Sequence, residues 1–141
     1  MGANTNPVFI LTPKTATAEI SAANTQRDGG GTLVTLYTAG SNGSLVSGVK
    51  FISAQASAAA SSDMVVRVFL TDTSGINPRL IAEGAMATVT PSNTAVGAEE
   101  AITFTDGLRM ASGQILKVAQ SVYAGVQDKV QVLTTGETGD Y

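Results

Sequence analysis

MVVRVFL, residues 64–70, is the stretch that decides the fold of this chain. Its β-branched and aromatic residues favour extended structure, and successive side chains of a strand point to opposite faces. One face then carries Met64, Val66, Val68 and Leu70, and the other carries Val65, Arg67 and Phe69. Because Arg67 is the charged member of the stretch, we expect its side chain to face water. The pattern predicts a strand with at least one buried face.

Alternation of apolar and polar residues recurs on both sides of this stretch, punctuated by Gly, Asn, Asp and Pro. Further strands are predicted at Val8–Leu11, Ala16–Ser21, Leu33–Thr38, Ser44–Gln55, Arg79–Val89, Glu99–Thr105, Gln114–Tyr123 and Val126–Leu133. The total is about eight to nine strands, and no stretch keeps a helical stripe beyond about three turns. We therefore expect an all-β fold, a two-sheet sandwich or jelly roll of antiparallel strands.

Two segments carry turn chemistry between predicted strands. Ala39–Ser44, with the sequence AGSNGS, predicts a tight hairpin turn because Asn42-Gly43 tolerates positive φ. Asp72–Pro78 offers spaced oxygen atoms that superficially resemble a calcium-binding loop. The glutamate and the helical context of that loop are missing, so a hairpin turn is the favoured interpretation.

Three other connections are less specific. Asp28–Gly31 predicts a flexible connection, since it lacks the lysine and the strand-to-helix context of a phosphate-binding loop. Asp106-Gly107 predicts a turn that ends the preceding strand. The alanine-rich and serine-rich segment 54–62 is either a solvent loop or a short helical turn. None of the three indicates a chemical site.

The domain organisation follows from these segments. We predict an extended N-terminal arm at residues 1–13, whose prolines keep it from joining a central strand unaided, although an ordinary edge strand fits equally. A single β-sandwich domain covers residues 14–134. Residues 135–141 are polar and predict a mobile C-terminal tail.

The composition excludes much of common enzyme chemistry. The chain has 141 residues, no histidine, cysteine or tryptophan, and charge on only 13% of positions. Histidine and cysteine supply most proton shuttles, activated nucleophiles and transition-metal ligands. The neighbouring Glu99 and Glu100 point to opposite faces of a strand and cannot act as a glycosidase pair. We therefore expect a protein that is not an enzyme, with no cofactor, no metal and no small-molecule substrate.

Charge and hydropathy also limit the partners. The net charge of -3 gives a field that repels phosphate backbones, so we expect no nucleic-acid partner. Apolar runs end after a few residues, which predicts no membrane span and no signal peptide, and hence production in the cytoplasm. With 43% hydrophobic residues and few charges, part of the surface is expected to be covered by other subunits.

The chain also resembles a family of small virion proteins of tailed bacteriophages. The matching pieces are NPVFILTP at residues 6–13, AANTQRDGGGTLVTLYTAGSNGS at residues 22–44 and VRVFLTDTSGINPRLIAE at residues 66–83. This resemblance implies a jelly-roll protein on the capsid surface that decorates and cements the icosahedral head. Its implied partner is the major capsid protein, and its implied state is a homotrimer above junctions between capsid subunits.

The resemblance brings no catalytic residue, so the candidates are contact residues only. The arm is the first choice, and the exposed turns Ser41–Ser44 and Asp72–Asn77 are the second. The residues predicted to contact partners are Asn6, Pro7, Phe9, Leu11, Asn42, Asp72 and Asn77. Two alternatives stay open: a tail or fibre-associated β-sandwich module of a phage, and a carbohydrate-binding module. The low aromatic content of 5% is poor for sugar stacking.

Overall fold

The computed structural model describes residues 9–55 and 59–141, and this part of the chain is built from strands. A single 3-10 turn, Val126–Asp128, interrupts the pattern. The strands are β1 (Thr12–Pro13), β2 (Thr17–Ile20), β3 (Val34–Thr38), β4 (Ser44–Ser53), β5 (Met64–Leu70), β6 (Arg79–Met86), β7 (Glu99–Met110), β8 (Ile115–Gln120) and β9 (Val130–Asp140). The all-β prediction is confirmed.

The strands form two antiparallel sheets that pack face to face. In the first sheet, β1 and β2 both pair with β9, which pairs with β4, which pairs with β7. The second sheet has the order β3, β8, β5 and β6. Because β1 and β2 follow one another along the same edge of β9, they act as one interrupted strand. With β1 and β2 counted as one strand, each sheet has four strands, and this order is that of a jelly roll, within the prediction of a two-sheet sandwich or jelly roll made from the strand count.

The core lies between the sheets and is made of the alternating inward residues. From the first sheet, Val49 and Phe51 of β4 are fully buried, and from the second sheet, Val66 of β5 and Val118 of β8 are fully buried. These side chains meet in a single hydrophobic cluster. Burial of each such side chain contributes roughly 1.5–3 kcal/mol, which is the main favourable term for a fold without disulfides.

The prediction that Arg67 faces water is wrong. Its side chain points away from the core, but the residue is only 6% exposed. The loop between β2 and β3, residues 21–33, folds over the outer face of the second sheet and covers the part of it around Arg67. The Nη1 atom of Arg67 donates to the carbonyl of Asn24 at 3.1 Å, and its Nε atom donates to Glu83 Oε1 at 2.9 Å. A buried guanidinium is tolerated here because it is paired and hydrogen-bonded.

The same loop contains the glycine run that was predicted to be a flexible connection. It is a connection, but it is packed and hydrogen-bonded rather than free. The Asn24 side-chain amide donates to the carbonyls of Gly30 and Thr32 at 3.0 and 2.9 Å and closes the loop. Gly29 has φ +92°, and a Cβ atom there would lie 2.3 Å from the carbonyl oxygen of Pro78. Glycine at this position lets the loop approach the second sheet.

The predicted mobile tail is also wrong, and so is the domain boundary at residue 134. Strand β9 runs to Asp140, pairing with β4 on one side and with β1 on the other. The segment is polar because its small residues lie between two strands that satisfy their backbone groups, so it needs little apolar burial of its own. Within the predicted arm, Thr12–Pro13 forms β1, whereas residues 1–8 lie outside the described residues.

Two turn predictions need correction. Asp106-Gly107 does not end a strand, because β7 continues to Met110. Asp106 and Gly107 both have positive φ, 61° and 77°, and the pairing of β7 with β4 shifts register close by, so they form an irregularity within the strand. Asn42-Gly43 lies in a tight turn, but that turn connects β3 in the second sheet to β4 in the first and is not a hairpin between paired strands.

The remaining strand boundaries differ by a few residues from those predicted. Strand β6 ends at Met86, β8 ends at Gln120, and the first three residues of the predicted strand from Val126 form the 3-10 turn. In the segment 54–62, residues 56–58 lie outside the described residues and the others form no helix. Of the predicted strand Val8–Leu11, the described residues 9–11 are not in a strand.

Candidate interaction surface

One end of the sandwich gathers the N-terminal segment, three inter-strand loops and the C-terminus. We call it the Asp140 end, formed by residues 9–13, 39–43, 71–78, 111–114 and 140–141. Backbone hydrogen bonds connect these segments in turn. Leu11 N donates to Asp140 O at 2.9 Å, and Tyr141 N donates to Gly43 O at 3.1 Å. Ala39 N donates to Gln114 O at 3.0 Å.

The loops at residues 71–78 and 111–114 complete the Asp140 end by contacting each other. The Gln114 side-chain amide donates to the carbonyl of Thr71 at 3.1 Å, and Ile115 N donates to Thr71 Oγ1 at 2.8 Å. Gly113 has φ +87°, and a Cβ atom there would lie 2.1 Å from the carbonyl oxygen of Thr73. The close approach of the two loops therefore depends on glycine at position 113.

Asp72 organises the turn that the sequence predicted between β5 and β6. Its Oδ1 atom accepts hydrogen bonds from the backbone N–H groups of Ser74 and Ile76, both at 3.0 Å, and its Oδ2 atom accepts from the Asn77 side chain at 2.8 Å. The bond from Ile76, followed by that from Asn77, lowers the pKa of Asp72 below its usual value. The carboxylate thus acts as an internal acceptor that fixes the turn, and the hairpin interpretation is confirmed.

Asp140 plays the corresponding role for the other segments of this end. Its Oδ1 atom accepts from Tyr37 Oη at 2.7 Å, from Ser44 Oγ at 2.5 Å and from Gly40 N at 3.2 Å. Its Oδ2 atom accepts from Lys14 Nζ, in an ion pair that joins the residue after β1 to the end of β9. One carboxylate therefore connects three parts of the chain: the residue after β1, the segment Tyr37–Ser44 and the end of β9.

The ionisation of this cluster is shifted by the same contacts. Burial raises the pKa of Asp140, but hydrogen bonds from Lys14, Ser44 and Tyr37 outweigh it and hold the pKa well below its usual value. Burial, together with the hydrogen bond to Asp140, raises the pKa of the Tyr37 hydroxyl to about 12. At neutral pH the cluster therefore contains an ionised carboxylate and a neutral tyrosine, which is the pairing that its geometry requires.

Three large apolar side chains project into solvent at the Asp140 end. Phe9 is 67% exposed, Leu11 is 78% exposed and Ile76 is 58% exposed. Other exposed large apolar residues of the described chain lie elsewhere: Ile81 on β6, Val96 and Val126. Apolar side chains gathered on a rigid surface are typical of a contact site for another macromolecule.

The structure brings most of the predicted contact residues together at this end. Phe9, Leu11, Asn42 and Asn77 are exposed there, whereas Asp72 is half-buried and engaged in its own turn. The predicted contact residues Asn6 and Pro7 lie outside the described residues. Ile76 lies within the candidate turn Asp72–Asn77 but was not named as a contact residue, although an isoleucine in the middle of a polar turn was a signal that could have singled it out.

In comparisons with known proteins, no family model, no curated protein and no solved structure matches this chain. Across residues 9–55 and 59–141, acidic side chains do not gather in groups of three or more that could hold a metal ion. No helix in the part of the chain that the structure describes is long and apolar enough to cross a membrane.

Proposed function

We propose that the protein is a structural component of a virion, which decorates and cements the icosahedral head of a tailed bacteriophage. On this proposal the Asp140 end binds the major capsid protein at junctions between its subunits. The observation that carries the proposal is the gathering of Phe9, Leu11 and Ile76 on one end of a jelly roll. The resemblance of residues 6–83 to small virion proteins agrees with this role.

The apolar side chains give this end enough contact energy for a cement that acts in many copies. Full burial of a large apolar side chain contributes roughly 1.5–3 kcal/mol, and the three residues are already partly covered. About 4 kcal/mol is therefore available from Phe9, Leu11 and Ile76 before the cost of association. A single site of this kind binds modestly, but repetition over a shell and within an oligomer multiplies the effect.

The loops of the Asp140 end are also preorganised for binding. Asp72 fixes the turn that carries Ile76, and the Asp140 carboxylate holds Lys14 after β1, while the main-chain carbonyl of Asp140 accepts from Leu11 N before β1. Side chains held on a rigid surface lose less conformational entropy on binding than side chains on free loops. The hydrogen-bonded carboxylates therefore support affinity without contacting the partner.

The proposal is tested by adding purified protein to preformed heads that lack it. We expect the wild type to bind and to raise the tolerance of the heads to heat and chelators. The triple variant Phe9→Ser, Leu11→Ser, Ile76→Ser should lose at least about tenfold in affinity, since tenfold corresponds to only 1.4 kcal/mol. The matched control is Val126→Ser, which removes an equally exposed apolar residue at the other end of the sandwich. Equal binding by the triple variant and the control contradicts the proposal.

Location on the particle separates this function from its two alternatives. Cryo-electron microscopy of decorated particles should find a copy number close to that of the major capsid protein. A handful of copies at one vertex indicates a tail or fibre module instead. Specific hits on a glycan array, combined with no binding to heads, indicate a carbohydrate-binding module.

A further inference from the structure

The turn that connects β3 to β4 carries a pair of residues that can react with each other. Asn42 is the only asparagine in the sequence that is followed by glycine, and its side chain is exposed. In such a pair the backbone nitrogen of the glycine can attack the side-chain carbonyl carbon of the asparagine. Glycine permits this attack because it has no Cβ atom to shield its nitrogen.

The reaction needs only water as a second reactant. A bond forms between the nitrogen of Gly43 and Cγ of Asn42, and the bond from Cγ to Nδ2 breaks. Ammonia leaves with the proton of the Gly43 amide, and a five-membered succinimide ring remains. Water then opens the ring at either of its carbonyls, which gives aspartate or isoaspartate at position 42. Nothing is oxidised or reduced, and the Asp140 end gains one negative charge.

The closed turn withholds the attacking nitrogen. Gly43 is buried, and its N–H group donates to the carbonyl of Gly40 at 3.0 Å. The carbonyl of Gly43 accepts from Tyr141 N at 3.1 Å, so this residue is held on both sides. The nitrogen attacks only after base has removed its proton, and an amide that is hydrogen-bonded in a closed turn meets base only when the turn opens. The reaction rate therefore follows the opening of the turn.

Asp140 holds both ends of this turn with one oxygen atom. Its Oδ1 atom accepts from Gly40 N at 3.2 Å and from Ser44 Oγ at 2.5 Å, and these two residues flank the turn. They also contact each other, since Gly40 N donates to Ser44 Oγ at 2.9 Å. Hydrogen bonds to an ionised carboxylate are stronger than those between neutral groups. The Asp140 carboxylate is therefore the main restraint against opening.

The other asparagines of the described chain are poorer candidates for this reaction. Asn24 is only 5% exposed, and its side-chain amide donates to two backbone carbonyls. Asn77 precedes Pro78, whose ring nitrogen has no proton to lose. Asn93 precedes Thr94, whose branched side chain crowds its own nitrogen. Within residues 9–55 and 59–141, Asn42 is thus the position where the chemistry is least obstructed.

We propose that Asn42 is a site of spontaneous deamidation, and that the Asp140 carboxylate sets the rate of this modification by keeping the turn closed. The reaction takes place within a single chain and does not depend on the proposed binding to heads. An effect of the modified residue on that binding is a separate matter, because it rests on the proposed function.

Peptide mapping by mass spectrometry tests the site. The wild type is incubated in mildly alkaline buffer, and Asn42→Asp supplies the reference mass of the product. We expect the peptide that contains residue 42 to gain this mass before any other asparagine peptide does. In urea sufficient to unfold the chain, conversion should be at least about tenfold faster, which corresponds to 1.4 kcal/mol for opening. Earlier conversion of another asparagine, or equal rates in the folded and unfolded chain, overturns the proposal.

A pair of variants tests the role of Asp140. Asp140→Ala should raise the rate of conversion at Asn42 at least about tenfold, the factor that corresponds to 1.4 kcal/mol. The matched control is Asp128→Ala, which removes the carboxylate that accepts from Ser62 N and Ala124 N at the opposite end. Its rate at Asn42 should stay close to that of the wild type. Equal rates for the two variants, with both shown to be folded by circular dichroism, overturn the proposal.

A milder variant keeps the test decisive if Asp140→Ala does not fold. Ser44→Ala retains the carboxylate but removes two hydrogen bonds of the turn, so conversion at Asn42 should again accelerate. Hydrogen exchange of the Gly43 amide, measured by NMR, reports opening directly and should rise by the same factor as conversion. Faster exchange without faster conversion overturns the proposal. Neither measurement involves phage heads, so failure here is distinguishable from failure of the proposed function.

Discussion

Asp140 is the residue whose replacement should most clearly reveal how the Asp140 end is held together. In Asp140→Ala, Tyr37 Oη loses its acceptor at 2.7 Å, while Ser44 and Gly40 retain their own mutual hydrogen bond at 2.9 Å. A hydrogen bond to a charged group contributes roughly 1.5–3 kcal/mol, and these bonds are not additive. We therefore expect Asp140→Ala to lower the free energy of unfolding by about 3 kcal/mol. That is a fall in Tm of roughly 10 °C for a domain of this size.

Asp140→Asn separates the charge from the hydrogen-bond acceptor. Its amide oxygen still accepts from Tyr37 and Ser44, but its NH₂ group faces the Lys14 ammonium. The expected loss is about 1.5 kcal/mol, half of that for alanine. Urea denaturation followed by circular dichroism measures both losses, with the slope of the transition checked for constancy.

The pH dependence gives the sharper test of the same argument. The pKa of Asp140 is lowered in the folded state, so its carboxylate contributes stability that is fully present above the unfolded pKa near 3.9. That contribution is lost as the pH falls toward the folded pKa. The difference in stability between the wild type and Asp140→Asn should therefore narrow between about pH 5 and pH 2.

A matched control and a double-mutant cycle complete the experiment. Lys14→Ala removes an exposed ion pair and should cost less than about 1 kcal/mol. The cycle of Tyr37→Phe with Asp140→Ala should show a coupling energy of at least about 1 kcal/mol. This account of the cluster is refuted if Asp140→Ala lowers the free energy of unfolding by less than about 0.5 kcal/mol. It is also refuted if the difference in stability between the wild type and Asp140→Asn is constant with pH.

Three further predictions concern other parts of the fold. Gly113→Ala should lower stability by at least about 2 kcal/mol in urea denaturation, because position 113 has positive φ and the new Cβ atom would clash with the carbonyl of Thr73. Gly125→Ala, at a position without positive φ, should cost much less. Hydrogen bonds from two arginines lower the pKa of Glu83 to about 2. Glu83→Gln should therefore reduce Tm at neutral pH, but not once the pH has fallen to that value. A carboxyl NMR titration should find the low pKa directly. Deleting residues 135–141 should abolish cooperative thermal unfolding, because it removes the centre of the first sheet at the Asp140 end. A truncated chain with an unchanged melting curve contradicts the assignment of β9.

The strands were predictable because each carries its own pattern. MVVRVFL is apolar at six of its seven positions and rich in β-branched residues, and buried and half-buried residues alternate over Ser44–Gly48 of β4 and over Ile115–Val118 of β8. The end of β9 was not predictable in this way. Its threonines and glycines gain their stability from pairing with β1 and β4, which are distant in sequence. Local composition therefore indicated a tail where the topology builds a strand.

The burial of Arg67 was also not predictable from its local sequence. Alternation gave its face correctly, since it points away from the core. What alternation cannot give is that residues 21–33, from another part of the chain, cover that face and supply the carbonyl of Asn24. The placement of the candidate contact residues likewise depends on segments that are distant in sequence. The turns were visible in sequence, but only the jelly-roll connectivity places the turns at 39–43 and 71–78 beside the N-terminal segment.

The use of charge in this chain explains how a protein so poor in ionisable residues still has defined ends. Asp140 gathers the segments at one end, and Asp128 does the same at the other, accepting from Ser62 N at 2.7 Å and from Ala124 N at 2.7 Å. Both carboxylates serve as acceptors for loop backbones, which a neutral side chain satisfies less strongly. Because each end is fixed from inside, the loop surfaces can be uncharged and still hold a definite shape. An uncharged and rigid loop surface is the combination that contact with repeated neighbours requires.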